Sequence, residues 1–390
     1  MRTLTGLNLT GKTVLVRVDF NVPQDKSGRI TDDSRLKAHL PTLAHLTKAG
    51  AKVLLVSHLG RPKGPTPEFT LKPVAEHLAT LMGTPVAFVP DCVGPVAQAA
   101  RAALKNGDVA LLENVRFYPQ EEANDPAFAQ HLAALCDVYV NDAFGTAHRA
   151  HASTAGIAAF VKEKAVGLLM QKELAALDGV FKHPRKPVVI VIGGSKISSK
   201  IGILRHLVPK ADAVIIGGAM ANTFLLAQGH GVGASLAEPD QVPTAKDILA
   251  LAAKHGCTLH LPTDVTAATA FAANAPHRTA AVADIKAGDM ALDVGPATSA
   301  AWDTVIAQAG TVLWNGPVGA FETTPFDRGT LAMAKAIAAS DAYSVAGGGD
   351  TLSAIAQSGV GNGFSYISTG GGSLLEYLEG LELPGVKAVA

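Results

Sequence analysis

Short apolar runs rich in β-branched residues alternate along the chain with longer segments whose apolar residues recur at helical spacing. This alternation predicts βαβ units and parallel sheets. In the first half the predicted strands are Val14–Val18, Val53–Val56, Val86–Val89, Val109–Leu112 and Val138–Val140. In the second half they are Val188–Ile192, Ala213–Ile216, Thr258–Leu261, Met290–Val294, Thr311–Trp314 and Tyr343–Ala346. We therefore expect an α/β protein with two doubly wound, Rossmann-like lobes.

One segment between the two sets of strands has the pattern of a single helix. Apolar residues in Val166–Phe181 recur at i, i+4, i+8, i+11 and i+15, and Pro184 and Pro187 stop the pattern. A helix here would join two parallel-sheet domains that face each other across an interdomain cleft. The expected limits are residues 1–165 for the first domain, 166–183 for the connecting helix and 184–374 for the second domain.

Composition narrows the class of protein. The 390 residues are 48% hydrophobic and 17% charged, which supports large cores and argues against disorder. No apolar run approaches the roughly 18 residues of a membrane-spanning helix, and the first twelve residues lack the apolar stretch of a secretory signal. Three cysteines without CxxC spacing indicate neither zinc nor disulfides, so we expect a reducing cytoplasm. We also expect no membrane contact and a monomer.

Charge is balanced over the whole chain but uneven along it. Lys plus Arg and Asp plus Glu both total 33, which argues against a nucleic-acid partner. Eight of the twelve arginines, however, lie in the first 150 residues. Because parallel strands present their carboxyl ends at one edge, we expect a pocket that binds a multiply charged anion. Its arginines would be Arg35, Arg61, Arg116 and Arg149.

Other polar residues accompany these arginines. Asp19 and Asn21 are two apart, so on an extended backbone they point to one side and suit a hydroxy acid. A strand-end turn held by their own hydrogen bonds is the simpler explanation of this pair taken alone. His148 and His151 have a spacing that metal ligands use, but the charge of Arg149 between them opposes a cation. We therefore expect these histidines to donate hydrogen bonds to the anion.

Glycine-rich turns follow the strands of the second half. Gly193 and Gly194 would let the backbone approach a phosphate, and Lys196 and Lys200 would lie one helical turn apart. Lys200 then suits the stabilisation of charge on a transferring phosphoryl group, although two solvated lysines are the alternative. Further turns of this kind are Gly217-Gly218, Gly295-Pro296, Asn315–Gly319 and Gly347–Thr351.

Two acids near these turns have open assignments. Asp350 follows three glycines, where it either caps a helix or holds Mg²⁺ together with nucleotide phosphates. Glu322 either accepts from ribose hydroxyls or is an ordinary surface acid. A literal GxxxxGK[ST] at Gly6–Thr13 does not indicate a P-loop, because a strand rather than a helix follows it.

Five long strings in a fixed order show a resemblance to a known family. They are RVDFNVP from Arg17, SHLGRP from Ser57, NDAFGTAHRAH from Asn141, WNGPVGAFE from Trp314 and GGGDT ending at Thr351. With Leu112–Phe117, Gly193–Lys200 and Ser368–Gly372, they spread over nearly the whole chain. In these residues the sequence resembles phosphoglycerate kinase.

The resemblance implies a reaction and a set of site residues. Phosphoryl transfer would take place between 1,3-bisphosphoglycerate and MgADP, giving 3-phosphoglycerate and MgATP, and a tail from about 375 to 390 would return to the first domain. Phosphoglycerate would be held by Asp19, Asn21, Arg35, His58, Arg61, Arg116, His148, Arg149 and His151. The nucleotide would contact Lys196, Lys200, Gly217, Gly218, Gly295, Asn315, Pro317, Glu322, Gly348, Gly349, Asp350 and Thr351, with Asp350 linked to Mg²⁺.

The chain departs from the family's usual pattern at four positions. Ser195 stands where a small apolar residue is usual, Ser199 and Ala297 where an acid is common, and Thr263 where Val is usual. None of these removes a residue expected to act on the phosphoryl group. They leave nucleotide preference and the tuning of Lys200 open.

The expected mechanism needs no general base, because the acceptor carboxylate is already ionised at neutral pH. Arg35, Lys196 and Lys200 are the expected catalytic residues, and the lobes would close about the connecting helix to exclude water. Two alternatives stay open on the sequence alone. A hinged anion-binding protein would explain two lobes and the arginines, and a nicotinamide dehydrogenase would need a GxGxxG turn that follows neither first strand.

Overall fold

In the computed structural model, which describes residues 2–390, the first half of the chain builds a parallel sheet of six strands. They are β1 (Thr13–Arg17), β2 (Lys52–Val56), β3 (Val86–Val89), β4 (Val109–Leu112), β5 (Val138–Asn141) and β6 (Glu163–Val166). Their order across the sheet is β3-β4-β2-β1-β5-β6. β1 lies between β2 and β5, so the direction of winding reverses beside it. Open parallel sheets bind ligands at such a reversal.

A second parallel sheet of six strands follows in the other half. Its strands are β7 (Val188–Ile192), β8 (Ala213–Ile216), β9 (Thr258–His260), β13 (Thr311–Asn315), β14 (Tyr343–Gly347) and β15 (Tyr366–Ser368). Their order is β15-β14-β13-β7-β8-β9, so the winding reverses between β7 and β13. Every residue of β7, β8 and β13 is buried, as continuous apolar runs require in a sheet covered by helices. The predicted α/β fold with two doubly wound parallel sheets is confirmed.

Three further strands form a separate antiparallel sheet that the sequence did not predict. They are β10 (Asp264–Ala268), β11 (His277–Ala281) and β12 (Met290–Val294), in the order β11-β10-β12. The expectation that Met290–Val294 joins the second parallel sheet is therefore wrong. β12 pairs with β10, where Val265 lies opposite Val294. An apolar run predicts a strand but does not specify its partner.

Helices connect the strands. They are α1 (Ser34–Lys48), α2 (Lys72–Met82), α3 (Gly94–Ala103), α4 (Pro119–Glu122), α5 (Pro126–Ala133), α6 (Leu168–Phe181), α7 (Ile201–Leu207), α8 (Met220–Ala227), α9 (Val242–His255), α10 (Pro296–Ala307), α11 (Arg328–Ala339), α12 (Gly349–Ser358), α13 (Gly371–Leu378) and α14 (Pro384–Lys387). α2, α9 and α12 end at the left-handed glycines Gly83, Gly256 and Gly359, which stop a helix at little conformational cost. Among residues 2–390, no helix is both long and apolar enough to cross a membrane.

The chain divides into two compact units. The first unit comprises the chain up to Leu174 together with Glu382–Ala390, and the second is Ala175–Leu381. The division therefore falls inside α6, and Asn141 Nδ2 donates to the Gly385 carbonyl at 3.0 Å, which holds the C-terminal segment in the first unit. The domain limits expected from the sequence stay predictions.

The start of α6 differs from its sequence pattern. The apolar periodicity begins at Val166, but that residue ends β6 and pairs with Asn141 of β5. The helix begins two residues later, after Gly167, where a Cβ atom would overlap the carboxylate of Asp142. Hydrophobic periodicity cannot detect this boundary, because a buried strand residue and a buried helix residue look the same in the sequence.

Candidate active site

Charged side chains gather at the carboxyl ends of the strands in the first unit. Arg35 on α1 donates to Asp19 Oδ2 at 2.8 Å, and Asp19 lies two residues after the end of β1. Asn21 Oδ1 accepts from the Gly60 amide at 2.9 Å, and Arg116 Nη1 donates to the Gly60 carbonyl at 2.7 Å. These contacts join the loops after β1, β2 and β4 at one edge of the sheet.

The electrostatics show that three of the predicted arginines converge together with Arg17, which was not predicted. Burial lowers the pKa of His58 well below its usual value, and the positive charges of Arg17, Arg116, Arg35 and Arg149 lower it further. Burial likewise lowers the pKa of His151 to about 4, with Arg116, Arg17 and Arg149 acting in the same direction. We call these four arginines the basic cluster. Both histidines beside it are therefore neutral at pH 7.

Two of the predicted residues lie at the margin of this arrangement. His148 is half-buried, and its Nε2 accepts from Arg149 Nε at 3.2 Å. Arg61 is exposed, and the largest electrostatic effects on His58 and His151 come from other charges. The structure thus brings Asp19, Asn21, Arg35, His58, Arg116, Arg149 and His151 to one edge, with Arg61 directed to solvent.

Sequence reasoning missed a buried series of hydrogen bonds that starts at Arg17 of the basic cluster. Arg17 is 1% exposed, its Nε donates to Ser153 Oγ at 2.8 Å, and Nη2 lies 3.2 Å from His58 Nδ1. Ser153 Oγ in turn donates to Glu121, and its amide donates to Glu121 Oε2 at 2.8 Å. Burial raises the pKa of the Glu121 carboxyl, while the charge of Arg17 opposes that rise.

Of the residues in this series, only Arg17 could have been recognised from the sequence. Arg17 is the single charged residue of the fully buried strand TVLVR, and a charge there requires a partner. Ser153 and Glu121 come from separate parts of the first unit, so nothing in their neighbourhood could indicate the contact. Together they hold the guanidinium of Arg17 in place.

The burial of His151 gives a testable pH dependence of stability. Its pKa in the folded protein is about 4 and the ordinary value is 6.5, so the unfolded chain takes up a proton that the native state does not. The free energy of unfolding should therefore fall as the pH drops from 6.5 towards 4, by about 2 kcal/mol for a partly solvated group. His151→Gln should make urea unfolding less dependent on pH over this range. His45→Gln, an exposed histidine, serves as control, and an unchanged slope for His151→Gln would contradict this account.

In the second unit, glycine turns pack against one another where the winding reverses. A Cβ atom on Gly193 would overlap the Pro317 carbonyl, and one on Gly217 would lie 2.5 Å from the Val318 Cβ atom. These glycines serve close loop packing. The expectation that both Gly193 and Gly194 let the backbone approach a phosphate is therefore wrong for Gly193, which faces the Pro317 carbonyl. Only Gly194, with φ at +144° and Lys200 Cε as its nearest neighbour at 3.8 Å, keeps an open side.

A cavity of about 380 Å³ lies beside these turns. Gly194, Gly218 and Pro317 line one part of it, and Glu322 and Asp350 also reach it. Leu236 and Phe271 contribute apolar surface, although they are 54% and 59% exposed. Large apolar side chains exposed at a cavity indicate a ligand with an apolar face, such as a nucleotide base.

Lys200 is held next to the end of β13. Its Nζ donates to Asn315 Oδ1 at 2.6 Å, and Asn315 Nδ2 donates to the Gly347 carbonyl at 2.7 Å. Burial lowers the pKa of Lys200, while the charges of Asp350 and Glu379 oppose the change. A partly desolvated lysine interacts more strongly with a phosphate than an exposed one.

Lys196 and Lys200 do not share a helical face as the sequence suggested. Lys196 has an extended backbone and is exposed, and Lys200 precedes the first residue of α7. The helical spacing fails because a short 3-10 turn over Ile197–Ser199 separates the two lysines. Only Lys200 is anchored by a hydrogen bond to a neighbouring strand end.

The remaining predicted residues divide into those at the cavity and those away from it. Gly348, Gly349 and Thr351 form the turn into α12 beside Asp350, and buried Thr351 accepts from the Gly316 amide at 2.8 Å. Gly295 does not line this cavity. A Cβ atom there would overlap the Asp264 carboxylate, and Gly295 faces a separate cavity of about 360 Å³ with His277 and Arg328.

Asp350 is the residue to test as a Mg²⁺ ligand. Within residues 2–390, no group of three or more His, Cys, Asp or Glu side chains could hold a metal ion. Asp350 is exposed at the cavity, in the first turn of α12, and no described residue pairs with its carboxylate. One free carboxylate fits Mg²⁺, which proteins commonly bind through one or two carboxylates together with nucleotide phosphates.

Gly218 offers a direct test of the packed turns. Its φ is +70°, and a Cβ atom would lie 2.5 Å from the Gly194 carbonyl oxygen. If this cavity holds the nucleotide that the sequence predicts, Gly218→Ala should weaken MgATP binding by about tenfold or more, because the displaced loop narrows the cavity. Gly229→Ala is the matched control, since Gly229 has φ at +89° and open space around it. An unchanged affinity in Gly218→Ala, or an equal loss in both variants, would contradict the prediction that close packing at Gly218 shapes this cavity.

Comparison with known proteins identifies the family. The sequence profile described as phosphoglycerate kinase matches residues 4–381. The chain belongs to the phosphoglycerate kinase family. The phosphoglycerate kinase of Moorella thermoacetica is 53% identical over 99% of this chain and 98% of its own length. That of Koribacter versatilis is 52% identical over 98% and 97%. The solved phosphoglycerate kinase of Coxiella burnetii superimposes with a TM-score of 0.94 at 42% identity, covering 99% of this chain and 98% of that one.

Membership of the phosphoglycerate kinase family establishes the class of enzyme. The chain is a kinase, and therefore a transferase, and the resemblance seen in its five motifs is confirmed. The hinged anion-binding protein and the nicotinamide dehydrogenase are excluded as alternatives.

Proposed function

We propose that the chain catalyses reversible phosphoryl transfer between 1,3-bisphosphoglycerate and MgADP, giving 3-phosphoglycerate and MgATP. The observation that carries the proposal is the basic cluster of the first unit. The charges of all four arginines lower the pKa of His58, and those of Arg17, Arg116 and Arg149 also lower the pKa of His151. Within residues 2–390, Arg35 and Arg116 are the two of the four that have a carboxylate within 4 Å. Such a surplus of positive charge is most stable when a multiply charged anion neutralises it.

The proposed phosphoglycerate site uses the residues at this edge of the first sheet. Arginine forks suit the phosphate and carboxylate groups, and neutral His58 and His151 can donate through a ring N–H. Asp19 and Asn21 would receive the hydroxyl group, which needs both acceptors and donors. The full set is Asp19, Asn21, Arg35, His58, Arg61, Arg116, His148, Arg149 and His151.

The proposed nucleotide site is the cavity of the second unit with its surrounding turns. Leu236 and Phe271 would contact the base, Glu322 would accept from the ribose, and Gly194 would face the phosphates. Asp350 would hold Mg²⁺, which supplies charge neutralisation at the phosphates when bound. The other residues proposed here are Lys196, Lys200, Gly217, Gly218, Asn315, Pro317, Gly348, Gly349 and Thr351.

The proposed mechanism is alignment with charge stabilisation. The acceptor is a carboxylate that is ionised at neutral pH, so no protein base has to remove a proton. Lys200 would meet charge on the transferring phosphoryl group from the second unit, and Arg35 from the first, with Lys196 as an exposed second lysine. The two units would close about α6 and exclude water, which would otherwise hydrolyse the acyl phosphate.

The proposed compartment is the cytoplasm. Cys92, Cys136 and Cys257 are all unpaired, and burial raises the pKa of each thiol. Unpaired, unreactive cysteines suit a reducing environment.

A coupled assay tests the proposed reaction directly. Purified protein with MgATP should release ADP when 3-phosphoglycerate is present, and ADP release should fall to background when the acid is omitted. ADP formation at the same rate without the acid would indicate simple hydrolysis and contradict the proposal. Glycerate without its phosphate is the matched control substrate and should support little turnover, because the basic cluster would lack its anion.

A further inference from the structure

His39 is a buried histidine that the proposed reaction does not use. It lies on α1, is 1% exposed and packs edge-on against the Phe20 ring with 5.5 Å between ring centroids. Nothing in the sequence pattern marks it as a site residue. An imidazole kept in a core normally has both ring nitrogens satisfied by hydrogen bonds, and the identity of the partners shows what it holds.

The two nitrogens of His39 have different partners. Nε2 accepts from the Asp19 amide at 3.0 Å, and Nδ1 lies 2.8 Å from Asp142 Oδ2. A backbone amide can only donate, so Nε2 is unprotonated and the ring proton lies on Nδ1. His39 therefore donates to Asp142 and accepts from Asp19 at the same time.

Asp142 continues this connection to α6. The residue is fully buried, and its Oδ1 accepts from the amides of Leu169 at 2.9 Å and Met170 at 3.2 Å. These are the second and third residues of α6, the helix in which the two units divide. Asp142 thus satisfies two of the helix's free amides with one oxygen and contacts His39 with the other.

One face of α1 contacts each of these segments. Arg35, His39 and Thr42 are spaced i, i+4 and i+7, so they project from the same side of the helix. Arg35 donates to Asp19 Oδ2 at 2.8 Å, and Thr42 Oγ1 accepts from the Leu168 amide at 3.0 Å. The loop proposed to bind phosphoglycerate and the first turn of α6 are therefore attached to one rigid element.

We propose that His39 is a positioning residue that couples the Asp19 loop to the first turn of α6 through Asp142. The proposal rests on the assignment of the phosphoglycerate site to the first unit. No proton moves in it. Both hydrogen bonds of His39 are buried. When ligand binding displaces the Asp19 amide, water therefore cannot replace His39 as its partner, and His39 has to move with it. The displacement then reaches the amides of Leu169 and Met170.

Two variants of His39 distinguish the contributions of its two hydrogen bonds. His39→Asn keeps a donor near the position of Nδ1 and loses the acceptor for Asp19, whereas His39→Leu loses both. His45→Asn is the matched control, because His45 is exposed on the same helix. We would record the amide NMR signals of Leu169 and Met170 in the full-length protein, with and without 3-phosphoglycerate, and measure affinity for 3-phosphoglycerate and for MgATP by calorimetry.

In the wild type and in His45→Asn, 3-phosphoglycerate should shift both amide signals. In His39→Asn the ligand-free signals should stay near their wild-type positions while the ligand-induced shift is lost. In His39→Leu the ligand-free signals should move as well. Both His39 variants should bind 3-phosphoglycerate about tenfold more weakly, with MgATP affinity unchanged, since a buried hydrogen bond to the binding loop is lost.

The outcomes distinguish this inference from the proposed function. If the wild type binds 3-phosphoglycerate and folded His39→Asn retains the ligand-induced shift of Leu169 and Met170, the coupling proposal is wrong and the phosphoglycerate site is unaffected. If the wild type does not bind 3-phosphoglycerate, the proposed function fails and the coupling falls with it. Should His39→Leu not fold, His39→Asn and Asp142→Asn decide the question, because each removes one bond and keeps a polar group of similar shape.

Discussion

Replacing Lys200 with alanine should lower kcat about 1,000-fold, which corresponds to about 4 kcal/mol of lost transition-state stabilisation. Lys200 is partly desolvated, and its Nζ is anchored to Asn315 Oδ1 at 2.6 Å. A fixed ammonium group in such a setting stabilises charge that develops during transfer more than charge already present in bound MgATP. The KM for MgATP should therefore change by less than about threefold.

Steady-state kinetics in the ATP-consuming direction would measure this effect. Lys254→Ala is the control, because Lys254 is an exposed lysine on α9 with no contact to the cavity. A Lys200→Ala enzyme with wild-type kcat and a raised KM would show that the lysine serves nucleotide binding alone. That result would remove Lys200 from the proposed mechanism.

Replacing Arg149 with alanine should weaken 3-phosphoglycerate binding about 100-fold, the effect expected from losing charge-assisted hydrogen bonds worth about 3 kcal/mol. Two hydrogen bonds fix the main chain at Arg149: its amide donates to the Thr146 carbonyl, and Thr154 Oγ1 donates to its carbonyl at 2.8 Å. The substitution therefore removes the guanidinium without releasing the loop. MgATP affinity should stay at the wild-type value.

Calorimetric titration with each ligand would check this separation. Arg101→Ala is the matched control, because Arg101 lies on α3 in the same unit and pairs with Asp137 at 3.1 Å near the surface. Wild-type affinity of Arg149→Ala for 3-phosphoglycerate would place the anion elsewhere. Equal losses in both arginine variants would point to overall charge rather than to the basic cluster.

The sequence predicted the two parallel sheets and the edges that carry the chemistry. Continuous apolar runs such as Val188–Ile192 specify strands buried on both faces, and polar motifs at their ends must then lie on one edge. Arg35, Arg116 and Arg149 were found in this way. The convergence follows from the direction of the strands, which the alternation with helices already determines.

What the sequence could not predict depends on contacts between distant residues. Ser153 accepts from Arg17, which is 136 positions away in the sequence, and it also donates to Glu121. No local spacing in the sequence indicates this series of hydrogen bonds. His39 is likewise defined by Asp19 and Asp142 rather than by its neighbours on α1. The role of Gly193 in loop packing also becomes visible only when Pro317 lies against it.

We propose that each substrate is bound by its own unit, and hydrogen exchange measured by mass spectrometry can follow the two units separately. 3-Phosphoglycerate alone should slow exchange in the loops at residues 19–21, 58–61, 114–117 and 146–151. MgATP alone should slow exchange at residues 193–200, 217–220, 315–322 and 347–351. Protection of the second set by 3-phosphoglycerate alone, with the loops around Arg116 and Arg149 unchanged, would contradict the claim.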